Sequence, residues 1–311
     1  MVGRGKRSAA KGYVYVILAA LMWASSGTAG KALFEGGMKA FDLVQIRVTL
    51  SSALIFVALL LFSRDLLRIR VKDIGFFVLL GSFTMALVTG SYFYTISKIQ
   101  VAAAILIQYL APILVAIFSM LFWKERPSIF KIAALFLAFG GCYLVVGGYN
   151  IQLLHINRLG IIGGLTSAIT FAAYSLLGER AMHRYKPWTV LFYALAFSVP
   201  TWHLFYTPFT YLKTGFSLSQ WGWILYISIV GTILPFGLFF AGINYVRSTR
   251  ASITAILEPI FAGFLAFLLL GEKLQFPQMI GGAMVITAIV LLQLQQEQDG
   301  MAPALIRNGE K

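Results

Sequence analysis

Apolar residues gather into ten long runs, at about 12–31, 42–63, 74–96, 101–123, 129–148, 159–179, 188–207, 221–246, 252–271 and 276–295. Each is close to the roughly 20 residues that a helix needs to cross a bilayer. The runs are too long and too uniformly apolar for strands, and they lack the alternation of a membrane barrel. Gly, Pro and charged residues punctuate the gaps, as in "SRDLLRIRVKD", "WKERPS", "YNIQLLHINR", "HRYKP", "VRSTR" and "GEKLQFP". The first run is long, contains Trp23, and is followed by no clear small-residue cleavage pattern, so it reads as a retained helix. The tail, 296–311, is polar and is predicted to be disordered.

Composition gives these runs their setting. The 311 residues are 59% hydrophobic and only 12% charged, with a mean hydropathy of +0.83. A soluble chain would be nearer 25% charged. The excess apolar surface excludes a disordered chain, a disulfide scaffold and almost any soluble enzyme, and it makes the lipid bilayer the partner of the outer surface. Ten spans leave no room for a sizeable soluble domain. Cys142 is the one cysteine, so no internal disulfide can form. His155, His183 and His203 share no metal-ligand spacing, and no metal or cofactor is expected.

The net charge of +14 would point to nucleic acid in a soluble protein. Here it reads as a basic cytoplasmic rim, because its distribution alternates. One side receives eighteen Lys and Arg residues, in clusters such as Arg4–Lys11, Arg64–Lys72, Lys124–Lys131, Arg180–Lys186 and Arg247–Arg250. The other receives six: Lys31, Lys39, Lys98, Arg158, Lys213 and Lys273. That split predicts an even number of spans with both termini in the cytoplasm.

The chain also repeats itself. "YLAPILVAIFSMLFWKER" from Tyr109 aligns without a gap on "ILEPIFAGFLAFLLLGEK" from Ile256, at an offset of 147. Leu110, Pro112, Ile113, Leu121 and Glu125 fall on Leu257, Pro259, Ile260, Leu268 and Glu272, and Arg126 falls on Lys273. Each repeat holds five spans, over 12–148 and 159–295. An odd number turns the second repeat upside down relative to the first, which is a transporter architecture with its site between the halves.

These paired segments resemble the EamA domains of the drug/metabolite transporter superfamily. So do "LMWASSGTAGKAL" around Trp23 and "LVQIRVTLSSALIF" around Arg47. The resemblance covers about 12–295. It implies an all-α membrane protein: ten transmembrane helices, arranged as two inverted five-helix repeats around a central cavity. It further implies export or exchange of small metabolites, often amino acids or their analogues. One departure is visible. "TSAITFAAYSLLGER" and "TVLFYALAFSVPTW" in the second half carry no counterpart of the first-half Trp and Arg, so duplicated binding groups are not expected.

Few residues inside the runs can do chemistry. Pro112 and Pro259 each deprive a carbonyl four residues back, at Gln108 and Ala255, of its helical partner. They are either packing kinks or paired bends that flex in transport. Glu258 is the only acid well inside an apolar run. An intramembrane carboxyl is protonated, paired or beside water. It therefore reads as a structural carboxyl, a proton-coupling group or a contact for a substrate amine. Arg47 is the only base inside a span, and either snorkels to the interface or attracts a carboxylate. The vertical separation of Arg47 and Glu258 argues against a direct bridge. Trp23, Ser26, Tyr92, Gln108, Tyr174 and Asn244 complete the expected substrate-binding set, and Glu125 and Glu272 read as solvated or capping groups.

"SSGTAGKA" breaks the phosphate-loop pattern at Ser25 and Ala32, and no Gly-x-Ser-x-Gly elbow is present. The basic stretches are short, without the interleaved aromatics of a nucleic-acid surface. A secondary transporter of small molecules at the plasma membrane, the bacterial inner membrane, is the leading expectation, with no obligatory protein partner. A nucleotide-sugar or other anionic-metabolite carrier is the alternative, but it would want several buried cations. A membrane receptor or enzyme would need a ligand-binding loop or a catalytic constellation, and neither is visible.

Overall fold

The structure is a computed structural model, and it describes residues 2–123, 128–149, 157–208, 215–270, 275–294 and 302–309. Glu125, Glu272, His155 and Lys213 lie outside the described residues. Among those described, all regular structure is helical. The first half runs α1 (Val2–Glu35), α2 (Ala40–Phe62), α3 (Ile74–Val78), α4 (Ala86–Lys98), α5 (Val101–Gln108), α6 (Ala111–Trp123) and α7 (Ile129–Val145). The second runs α8 (Arg158–Met182), α9 (Pro187–Phe205), α10 (Leu218–Ser228), α11 (Leu234–Ala255), α12 (Leu257–Leu270) and α13 (Phe276–Leu294). A short α14 (Pro303–Gly309) follows.

Among the described residues, seven helical stretches are long and apolar enough to cross a membrane, and two shorter apolar helices accompany them, Ile129–Val145 and Phe276–Leu292. Large apolar side chains face outward, among them Phe62, Phe136, Leu204 and Phe205. Helices that are apolar all round belong in lipid rather than water. The chain is an integral membrane protein. One stretch, Leu218–Ala255, is 38 residues long. At 1.5 Å per residue it would reach roughly 57 Å if straight, nearly twice the hydrocarbon thickness. It is not straight: Arg247, with φ 68° and ψ 165°, interrupts it.

The main helix packings all join one half to the other. They pair α1 with α11, α4 with α8, α2 with α9, and α7 with α13. Under the offset of 147, α1 maps to α8 and α4 to α11, so the first two pairs exchange. The other two pairs map onto themselves. Two-fold symmetry between the halves produces that pattern. A π-helical segment between α3 and α4 (Leu79–Met85) also has a counterpart between α10 and α11 (Ile229–Ile233). The α7–α13 pair packs closely through glycine: a Cβ on Gly141 would sit 2.6 Å from the Gly281 carbonyl oxygen. Small residues bring backbones together where lipid offers no hydrophobic drive.

Two expectations change. The bends expected at Pro112 and Pro259 are breaks. The helix stops at Tyr109 and Leu110, and again at Ile256, and each proline occupies the first turn of the piece that follows. That position tolerates a missing N–H. The tail expected to be disordered carries α14, and Ala304 within it and Ala302 just before it are buried. Arg307 Nη1 donates to the carbonyls of Met182 at 2.8 Å and Tyr185 at 3.0 Å. Met182 ends α8 and Tyr185 lies just beyond it, and a cation is favoured near the C-terminal end of a helix.

Candidate functional site

A cavity lies between the halves, lined by Trp23, Ser26, Arg47, Val88, Thr89, Tyr92, Phe93, Gln108, Tyr109, Phe171, Gly231, Phe236 and Glu258. Both halves contribute walls. Trp23 stands edge-on to Phe236 at 5.1 Å and to Phe171 at 6.0 Å, giving one side an aromatic face.

Arg47 does not snorkel. It is 3% exposed, and its Nε donates to Thr232 Oγ1 at 3.0 Å and its Nη2 to the Gly231 carbonyl at 3.3 Å. Its guanidinium carbon lies 4.6 Å from the centre of the Phe93 ring. The acceptor has a local origin. Pro235 stands four residues after Gly231 and has no N–H to return to that carbonyl. α1 also comes close at Gly231, since a Cβ there would sit 2.7 Å from Ser26 Cβ. Among the described residues, no carboxylate pairs with Arg47. The guanidinium is thus held by neutral acceptors at the edge of the cavity.

Glu258 is 9% exposed and opens α12. Tyr109 Oη lies 2.7 Å from Glu258 Oε2 and 2.7 Å from the Ala255 carbonyl oxygen. That carbonyl is the one Pro259 leaves without a helical partner. Tyr109 ends α5, at the matching break of the first half. Glu258 itself has no acidic counterpart, because the offset of 147 places it on Ala111. The phenol of Tyr92 is buried at the cavity and bonds to nothing among the described residues.

The cavity thus gathers Trp23, Ser26, Arg47, Tyr92, Gln108 and Glu258. Tyr174 and Asn244 are not in its lining. Tyr174 is fully buried and stacks on Phe240 with centroids 4.5 Å apart. Asn244 is buried in α11, and its Oδ1 has no hydrogen-bond partner among the described residues. Thr232 and Pro235 were not singled out in the sequence. A proline four residues after a glycine within an apolar run is the signal that could have found both.

A second polar cluster also escaped the sequence reading. Glu179, which ends an apolar run, and Arg247, which stands in the short gap "VRSTR", are both buried. Arg247 Nε donates to Glu179 Oε1 at 3.0 Å, and the Ser248 amide donates to Glu179 Oε2 at 2.7 Å. Arg250 and Lys131 are buried as well. Arg247 and Arg250 therefore do not sit in an exposed loop, and Glu258 is not alone as a buried acid.

If the breaks move during transport, restoring a helical N–H should stiffen them. Pro112→Ala and Pro259→Ala should each slow flux by about tenfold, equivalent to 1.4 kcal/mol on the slow step. The proteins should still insert and fold. Normal flux in both variants would make the prolines packing features only.

The chain matches the EamA-like transporter family twice, over residues 10–147 and 158–294. An uncharacterized transporter of Archaeoglobus fulgidus is 33% identical over 205 residues, which cover 66% of this chain and 72% of that protein. The uncharacterized inner membrane transporter YicL of Salmonella typhimurium is 26% identical over 305 residues, covering 95% of this chain and 99% of its own. A solved crystal structure with 17% sequence identity superposes with a TM-score of 0.72, covering 92% of this chain and 97% of that one.

Proposed function

The chain belongs to the EamA-like transporter family, and from that membership we propose a secondary transporter that exports or exchanges small metabolites across a bacterial inner membrane. Amino acids and amphipathic amines are the cargo class. The observation that carries this reading is a single cavity holding one cation, Arg47, and one carboxyl, Glu258, beside an aromatic wall. Arg47 receives a substrate carboxylate. Glu258 answers a substrate amine and exchanges a proton as the cargo leaves. A nucleotide-sugar carrier is disfavoured, because among the described residues Arg47 is the one cation in the lining and phosphates favour several.

The architecture we propose has ten crossings in two inverted halves, with both termini in the cytoplasm. The exchange of helix pairs under the repeat, the matched π segments and the break at Arg247 support it. Reporter fusions after Lys72 and after Lys186 should read cytoplasmic, and one after Lys213 external. A cytoplasmic signal at Lys213 would sink the arrangement.

The functional test is flux in proteoliposomes. Wild-type protein should drive a panel of amino acids and amines in a pH-dependent way. Glu258→Gln keeps size and hydrogen bonding but cannot titrate, so it should give a flat pH profile while downhill exchange survives. An unchanged profile would make Glu258 a packing group.

A further inference from the structure

We propose that Tyr109 is the positioning residue through which the protonation of Glu258 is passed to the broken helices, holding the break before α12 closed when Glu258 carries its proton and releasing it when the proton leaves. The inference rests on the proposed role of Glu258 and adds the means by which that role reaches the backbone.

The argument is one of donors and acceptors. Tyr109 Oη stands 2.7 Å from two oxygens, the Ala255 carbonyl and Glu258 Oε2. A phenol has one proton to give. A carbonyl is only an acceptor, and so is an ionised carboxylate. One proton shared between two acceptors would leave at least one of these contacts long, yet both are short. The arrangement closes if Glu258 carries a proton. Its O–H then donates to Tyr109 Oη, and Tyr109 donates to Ala255. Every oxygen in the chain is satisfied, which burial demands.

The carbonyl in question is not an arbitrary one. Pro259 has removed its helical partner, so Tyr109 supplies the missing donor from the other half of the protein. When Glu258 loses its proton to water in the cavity, the charged oxygen is the stronger acceptor. Tyr109 then turns its single proton to Glu258, and the Ala255 carbonyl is left unpartnered inside the membrane. That state favours a rearrangement of the break. The tie joins the two symmetry-related breaks, at Tyr109 and at Ile256, so its loss bears on both halves at once.

Other groups face Glu258 as well. Tyr92 of α4 and Arg47 of α2 share its cavity, and the Cys142 thiol of α7 lies close. None of these is hydrogen-bonded to Glu258 among the described residues. Tyr109 is the group in direct contact.

The test combines flux with infrared spectroscopy on the full chain in lipid. In wild type, a carboxylic-acid C=O band should be present that Glu258→Gln abolishes. Tyr109→Phe should shift that band and move the pH midpoint of flux upward by about one unit, since the carboxylate loses a charge-assisted donor and the acid only a neutral acceptor. In the Glu258→Gln background, Tyr109→Phe should leave the flat profile flat. Should Tyr109→Phe fold poorly, fluorotyrosine at position 109 keeps the packing and weakens the phenol oxygen as acceptor, and it should shift the band too. If Glu258→Gln flattens the profile but changes at Tyr109 move neither band nor midpoint, the inference is overturned and the role of Glu258 stands. If Glu258→Gln keeps the wild-type profile, both are overturned.

Discussion

Replacing Arg47 with Gln should cut transport of carboxylate-bearing cargo by about 100-fold, the loss expected when a hydrogen bond to a charged group worth about 1.5–3 kcal/mol disappears. The side chain is buried and anchored on Thr232 and Gly231, so its position does not depend on cargo. Arg47→Lys should retain the charge but lose the planar fork, and should be less impaired than Gln. The informative measurement is a comparison of an amino acid with the amine made by removing its carboxylate. A role in cargo recognition predicts that only the amino acid is affected. Equal losses for both would mean that Arg47 merely braces α2 against the π segment at 229–233.

The largest effect on stability is expected at Glu179. Its carboxylate pairs with Arg247 and accepts the amide of Ser248, and its side chain is only 2% exposed. Removing one partner of a buried pair typically costs about 3–5 kcal/mol. Glu179→Gln should therefore lower stability in mild detergent by about that amount, and Glu179→Ala by no less. Arg247→Gly should do less harm. It loses the pair but frees a position at φ 68°, where a side chain costs about 1–3 kcal/mol. Thermal unfolding of the three variants orders them. If Arg247→Gly proves the most damaging, the ion pair rather than the backbone governs this junction.

The two predictions draw on different kinds of legibility. Arg47 stood out in the sequence because a cation inside an apolar run is costly wherever the run is placed. Glu179 did not, because it ends a run beside Arg180 and resembles any polar terminus. Its burial comes from Arg247, 68 positions later, where non-helical backbone interrupts the helix.

The tail misled in the opposite sense. Its polar composition argued for disorder, yet Arg307 finds carbonyls at the end of α8 and beside it. Composition reports what a segment could bury by itself, and says nothing of backbone acceptors elsewhere.

The sequence by itself determined the solvent, the helical class and the duplication. Lipid demands helices whose own backbone is satisfied, and a run of some 20 apolar residues states that demand locally. The matched Pro and Glu declared the repeat because an offset is visible in one dimension. Only the tertiary structure decided which polar groups share a cavity. These helices are apolar on every side and carry no stripe that fixes their rotation. Tyr92 and Tyr174 thus look alike along the chain, although one faces the cavity and the other stacks on Phe240. The contacts of Arg47 with Gly231 and of Tyr109 with Ala255 are separated by 184 and 146 positions. Each depends on a carbonyl that a proline set free. The sequence shows where a carbonyl loses its partner, and packing alone supplies the new one.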